Sequence, residues 1–241
     1  MGSNVTIGPY SIVEEDVFIQ DDCTIGNHVT IGMNTKFGKG CIIYHSSAIG
    51  IAPQDLKFKG EETNTIIGDN TIIREFVTIN RGTKALGETR IGSGCLLMAS
   101  THVAHDCVLG DNVIMSNLST LGGHVIIEDY VVLGGGVLVH QFTKIGAHSF
   151  IGGGFRAVQD VPPFILAAET PLVFKGINAV GLKRRGFTLE DRKQIKAIYK
   201  KYFKSGINRN EALKKIETDI PESIFKNQII DFINSSKRGI I

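Results

Sequence analysis

The chain has 241 residues, 42% of them apolar and 21% charged, with a formal net charge of +2. That balance fits a soluble chain able to bury a core, and so small a charge gives no basis for nucleic-acid binding. No apolar run reaches the ~18 residues needed to span a bilayer, no signal-peptide pattern is visible, and Cys23, Cys41, Cys95 and Cys107 form no CxxC pair, so reduced thiols in the cytoplasm are expected. In chain order, the first and longest element is a repeat. Taking every sixth residue from Ile7 to Ile151 gives 25 positions, and 22 of them are large and apolar. Gly follows the apolar residue repeatedly, as in Ile7-Gly8, Ile25-Gly26, Ile67-Gly68, Ile91-Gly92 and Ile145-Gly146.

A period of six is neither helical nor the simple alternation of one strand. It fits a short strand plus a tight corner, with the apolar residue pointing inward and Gly allowing unusual corner dihedrals. Three such units close a coil of 18 residues, and stacked coils bury a continuous core. Hexapeptide repeats of this type are those of left-handed parallel β-helices, so the expected fold is all-β, a left-handed parallel β-helix over residues 1–160. The three exceptions to the period are Asp55, Glu61 and Ala85. They fall in two expected insertions, at about 51–65 and 82–90, after which the phase resumes.

The repeat stops after Gly154, and Val161-Pro162-Pro163 breaks regular structure. Residues 161–187 read as a connecting segment, followed by an α-helical C-terminal domain over 188–241. Thr188 is the expected N-cap of a first helix ending near Gly206, with Asp191 in its first turn. A second short helix is expected after Asn208 and a third from about Pro221 to Ser236. Such short helices need a surface to cover their apolar faces, either within the chain or on a neighbour.

The chemistry concentrates where histidines cluster. Counting 18 onward, His105 meets Gly123 and then Gln141, while Asp106 meets His124. His105-Asp106, Gly123-His124 and His140-Gln141 therefore stack at one corner of three consecutive coils. His102 lies on the strand entering that corner and faces outward, because Val103 faces inward. A lone corner histidine reads as exposed polarity; three in register with Asp and Gln read as a base poised near neutral pH. A zinc site needs a second histidine about five residues along the same coil, and Ile145 stands there instead of one after His140, so no metal is expected. An ice-binding prism would show a flat face of repeated Thr motifs, which is missing. A non-enzymatic scaffold remains the bland alternative.

The stretches 53–61 (PQDLKFKGE), 67–83 (IGDNTIIREFVTINRGT), 100–117 (STHVAHDCVLGDNVIMSN), 120–125 (TLGGHV), 139–148 (VHQFTKIGAH), 158–164 (VQDVPPF) and 176–187 (GINAVGLKRRGF) together resemble the UDP-N-acetylglucosamine 3-O-acyltransferases, which open lipid A synthesis. The resemblance implies a homotrimer with sites between neighbours. It implies transfer of an (R)-3-hydroxyacyl group from acyl carrier protein to UDP-N-acetylglucosamine, and no cofactor beyond the phosphopantetheine of the carrier. His105 would be the general base, Asp106 its orienting partner, and the Gly123 N–H the oxyanion donor. His102, His124, His140 and Gln141 would position sugar and acyl chain, and Asp55 and Lys57 the sugar nucleotide. Asn178, Arg184 and Arg185 would hold phosphates of the nucleotide or of the carrier's arm. Gly153 matches the position that limits acyl length, and glycine there implies a long acyl donor. The related sugar N-acyltransferases carry an extra N-terminal nucleotide-binding domain for which this chain has no room. Acetyl-CoA-dependent relatives would lack the 53–57 loop and the 161–187 segment.

Overall fold

A computed structural model describes all 241 residues. Residues 6–157 wind a left-handed parallel β-helix whose three faces are parallel sheets of eight, eight and seven strands, the first extended to ten by strands beyond residue 160. Most strands are two residues long, and successive coils pair 18 residues apart, as Thr6 with Thr24 and Leu96 with Ile114. Across the first insertion Ile42 pairs with Ile72, and across the second Ile72 pairs with Leu96, so the phase is kept. The inserted loops are shorter than the sequence implied, because Ala48–Ile51, Asn64–Ile67 and Glu88–Ile91 are strands.

The hexad residues from Ile19 onward, outside the insertions, form the prism's interior and are at most 3% exposed. Fully burying such a side chain contributes roughly 1.5–3 kcal/mol gross. A second inward position lies two residues before each hexad residue and holds only small side chains, such as Val29, Thr71, Val113 and Ser119. All four cysteines occupy it. Each thiol donates to a backbone carbonyl, Cys95 to Gly110 at 3.2 Å and Cys107 to Gly122 at 3.1 Å. Burial pushes the Cys95 thiol up to about 11 and those of Cys41 and Cys107 up to about 12.

The glycine that follows the hexad residue serves a different purpose from the one expected. Except at Gly50 (φ 72°) its φ is not positive; the left-handed residue is two positions later, as at Tyr10, His28, Asn70 and His124. Glycine is required because the next coil is too close for a Cβ. One at Gly68 would stand 2.6 Å from the Gly92 carbonyl carbon, and one at Gly146 2.4 Å from the Pro163 nitrogen.

The ten-stranded sheet continues beyond residue 160. Ile165–Ala168 pairs in parallel with Phe150–Ile151, and Val173–Ile177 returns antiparallel to it. Four helices follow: α1 (Ala179–Arg184), α2 (Leu189–Lys204), α3 (Arg209–Asp219) and α4 (Ile224–Ser235). Helix α1 is too short for a periodic signal, and the connecting segment thus holds two strands and a helix. Thr188 and Asp191 close a capping box on α2, and Asn208 caps α3. Helix α4 starts at Ile224, capped by Ser223, because Pro221 lies outside it. The helical tail finds its covering surface within the chain. Tyr199 is fully buried and donates to the Pro163 carbonyl at 2.6 Å, while Phe225 packs on Phe164 and Phe187. No helix is long and apolar enough to cross a membrane.

Candidate active site

Val103, Leu121 and Val139 face the interior on consecutive coils. The chain then turns at His105-Asp106, Gly123-His124 and Gln141-Phe142. Asp106, His124 and Phe142 all take left-handed φ of 59°, 61° and 64°, a conformation that costs an L-residue roughly 1–2 kcal/mol. The turn aligns their side chains. The His124 ring stacks on Phe142 at 4.6 Å and meets the His105 ring edge-on at 5.1 Å.

Asp106 is 2% exposed and accepts four hydrogen bonds. Oδ2 takes His105 Nδ1 and the Thr83 hydroxyl, both at 2.7 Å. Oδ1 takes the backbone N–H of Thr83 at 2.9 Å and of Leu86 at 3.2 Å. Burial alone would push this carboxyl up; the bonds from His105 and Thr83 outweigh it and hold it below the ordinary carboxylate range. The ionised carboxylate can only accept, so His105 Nδ1 carries a proton, and in the neutral imidazole Nε2 then holds the lone pair. His124 Nε2 stands 3.7 Å from the same Oδ2. His105, Asp106 and His124 present ligand atoms within 4.8 Å of one another. A cation there would have to displace bonds that already occupy both carboxylate oxygens, so the arrangement suits proton transfer better than ligation.

Gly123 completes the corner. A Cβ on it would lie 2.7 Å from His105 Cε1 and 2.9 Å from Nε2, so the imidazole needs a glycine beneath it. At equivalent corners the backbone N–H is consumed by a carboxylate, as Ser93 by Asp111 at 2.7 Å and Asp111 by Asp129 at 2.8 Å. The Gly123 N–H makes no hydrogen bond within the chain, leaving it beside the His105 ring as a donor for developing negative charge. His102 Nδ1 is 2.7 Å from the Thr78 hydroxyl, and burial, then the neighbouring His105, pushes its pKa down. His140 and Gln141 are exposed on the next coil.

Of the other expected site residues, Asp55 and Lys57 lie on a loop leaving the same corner as His105, between the eight- and seven-stranded sheets, and the rest are placed elsewhere. Asp55 Oδ1 accepts the Lys57 N–H at 2.9 Å on the first loop, which is held by Asn80 Nδ2 on the Ala52 carbonyl at 2.9 Å and by Arg81 over Phe58 at 5.3 Å. Asn178 caps α1 and donates to the His148 carbonyl at 2.9 Å. Arg185 lies over Tyr130 at 5.3 Å, half-buried, and Arg184 is exposed. The three border a groove floored by Ile114, Val132 and Phe150 on the outer face of the ten-stranded sheet. Gly153 is exposed on the third corner, in register with Gly135. Within one chain these residues therefore occupy three different corners.

Two family profiles match the chain. The bacterial transferase hexapeptide repeat covers residues 1–32 and 88–123, and the second domain of UDP N-acetylglucosamine O-acyltransferase covers residues 160–241. A relative in Thermodesulfovibrio yellowstonii, named acyl-[acyl-carrier-protein]–UDP-N-acetylglucosamine O-acyltransferase, is 45% identical over 237 residues, 98% of this chain and 92% of that one. The chain belongs to the UDP-N-acetylglucosamine O-acyltransferases. A second family member so named, from Chlamydia caviae, is 46% identical over 100% of this chain and 86% of its own. The solved acyltransferase of Bacteroides fragilis superposes with a TM-score of 0.97 at 44% identity, covering 100% of this chain and 94% of that one. The acyltransferase of Arabidopsis superposes at 0.87 with 32% identity, covering 99% and 94%.

Thr83, the Leu86 N–H, Thr78 and Phe142 escaped the sequence reading of this acyltransferase. A usable signal existed for Thr83. Ile79 pairs with Val103, and counting on from both brings residues 82–83 alongside Asp106. The insertion hid that register, because it interrupts the count by 18.

Proposed function

We propose that this chain transfers an (R)-3-hydroxyacyl group from acyl carrier protein to the 3-hydroxyl of UDP-N-acetylglucosamine, with His105 as general base. The relatives' shared name supports the reaction, and the buried Asp106–His105 pair beside the unpaired Gly123 N–H carries the mechanism. Nε2 of His105 takes the proton of the sugar hydroxyl as its oxygen attacks the thioester carbon. The new C–O bond forms and the carbonyl oxygen becomes an oxyanion, met by the Gly123 N–H. The C–S bond then breaks, and the departing thiolate recovers the proton from Nε2. Asp106 stabilises the imidazolium between the two steps. His102, His124, His140 and Gln141 line the approach for sugar and acyl chain. No cofactor is needed, since the phosphopantetheine arm arrives on the carrier.

The same reading includes a homotrimer in the cytoplasm, acting in lipid A synthesis. The spread of the remaining residues supports the trimer, because one chain cannot bring Gly153, Asn178, Arg184 or Arg185 to His105, whereas a neighbouring copy can. An outward apolar stripe through Ile42, Ile72, Leu96, Ile114, Val132 and Phe150 on the ten-stranded sheet offers such a copy a surface. Arg184 and Arg185 beside the groove suit the phosphate of the carrier's arm, Asp55 and Lys57 suit the sugar nucleotide, and Gly153 leaves room for a long acyl chain. The test is to incubate the protein with UDP-N-acetylglucosamine and 3-hydroxymyristoyl-acyl carrier protein and to follow the product by mass spectrometry beside His105→Ala. Loss of the base should slow transfer about 10²–10⁴-fold. Equal rates would remove His105 from the mechanism, and no product from the parent would remove the reaction.

A further inference from the structure

We propose that Thr83 is a positioning residue that commits the Asp106 carboxylate to His105 rather than to His124. This rests on His105 being the base. Two imidazoles are within reach of Asp106 Oδ2, His105 Nδ1 at 2.7 Å and His124 Nε2 at 3.7 Å. A carboxylate free to rotate would divide between them. Thr83 prevents the rotation by holding both oxygens at once, its N–H on Oδ1 and its hydroxyl on Oδ2. The hydroxyl's single proton is directed, because its oxygen also receives the Ala85 N–H at 3.2 Å. The loop is itself anchored. Thr63 donates to the Gly82 carbonyl at 2.6 Å, and the Gly87 N–H donates to the Thr83 carbonyl at 2.7 Å. Thr83 is 8% exposed, so water is poorly placed to replace it.

The coil closes without this loop at other levels, as the 18-residue pairing of Leu96 with Ile114 shows. The six additional residues at this level deliver three donors to one carboxylate, the Thr83 N–H, the Thr83 hydroxyl and the Leu86 N–H. The rest of the site follows from the repeat; the choice between two histidines follows from the insertion.

Thr83→Val, Thr83→Ala and Thr83→Ser test this. Valine keeps the shape and alanine empties it, and both remove the hydroxyl. Each should lower kcat about tenfold to a hundredfold, the scale of one hydrogen bond to a charged group, with KM for both substrates changed less than about twofold if binding is untouched. Serine should restore kcat. Nitrogen-detected NMR of the imidazoles gives a readout independent of acyl transfer. The parent should show His105 as the Nδ1–H tautomer, and the valine and alanine variants a mixture, with His124 shifting as it gains the carboxylate. Unchanged spectra with parental kcat would overturn the proposal, as would a serine variant as impaired as valine. Should the parent form no product, the acyl-transfer reading fails while the spectra still decide the role of Thr83.

Discussion

Histidines take the same left-handed corner position at His28, His124 and His148, and the last two stand in sharply different surroundings. His124 and His148 both take left-handed φ, 61° and 60°, and both lie flat against an aromatic ring of an adjacent coil. At the His148 corner the second face is also covered. Tyr130 stacks at 4.9 Å, Phe164 at 5.6 Å, and Phe187 closes the edge at 5.0 Å. Burial, with Arg185 close by, pushes the His148 pKa down to about 4, so near pH 7 it is a neutral plate between rings. At the other corner a buried carboxylate and an inserted loop stand behind His105. Histidine and turn geometry are common to both corners; the buried carboxylate and the insertion that donates to it belong to only one of them.

The strongest way to break this comparison is to disturb the space over Gly123. Gly123→Ala should lower kcat about 100-fold, as expected when a catalytic group is misplaced by about an ångström, because its methyl group would strike the His105 ring. Steady-state kinetics with both substrates checks this, and parental kcat would mean that the ring position is not critical. A smaller effect should separate the corners by pH. The folded-state pKa of His148 is about 4 against an ordinary 6.5. Between those values the unfolded chain binds the extra proton, so stability falls as pH is lowered through that window and is fully present above it. His148→Phe keeps the stack and removes the titration. Its melting temperature should depend less on pH between about 6.5 and 4 than the parent's, and parallel curves would show that His148 titrates normally. The smallest effect lies outside both corners. Thr188→Ala removes the N-cap of α2 and should cost about 1 kcal/mol in denaturant unfolding, with acyl transfer unchanged.

The fold was largely legible because the hexad phase survives 144 residues, and Val103, Leu121 and Val139 alone put three coils in register. The caps at Thr188 and Asn208 were equally readable, since capping is local chemistry. Three features were not. The repeat reads its corner glycines as dihedral freedom, whereas Gly68 and Gly146 answer to the backbone of the next coil, a contact that no single repeat contains. Helix α1 has six residues, fewer than two turns, and shows no period. Thr83 lies in a stretch where the count by 18 is suspended, so its meeting with Asp106 depends on how the loop folds back. His105, Asp106, Gly123 and His124 could be brought together by arithmetic; the remote Asn178, Arg184 and Arg185 could be named only through resemblance, because the turn after residue 160 follows no repeat.

The column of small inward residues has a practical consequence. All four thiols of the chain are buried in it, and those of Cys41, Cys95 and Cys107 are also pushed to about 11–12, far from the thiolate that alkylating probes consume. The folded protein therefore offers such reagents a silent background. A single cysteine engineered onto an exposed corner would be its one addressable handle, and a fluorophore or cross-linker placed there would report carrier docking without removing any native cysteine.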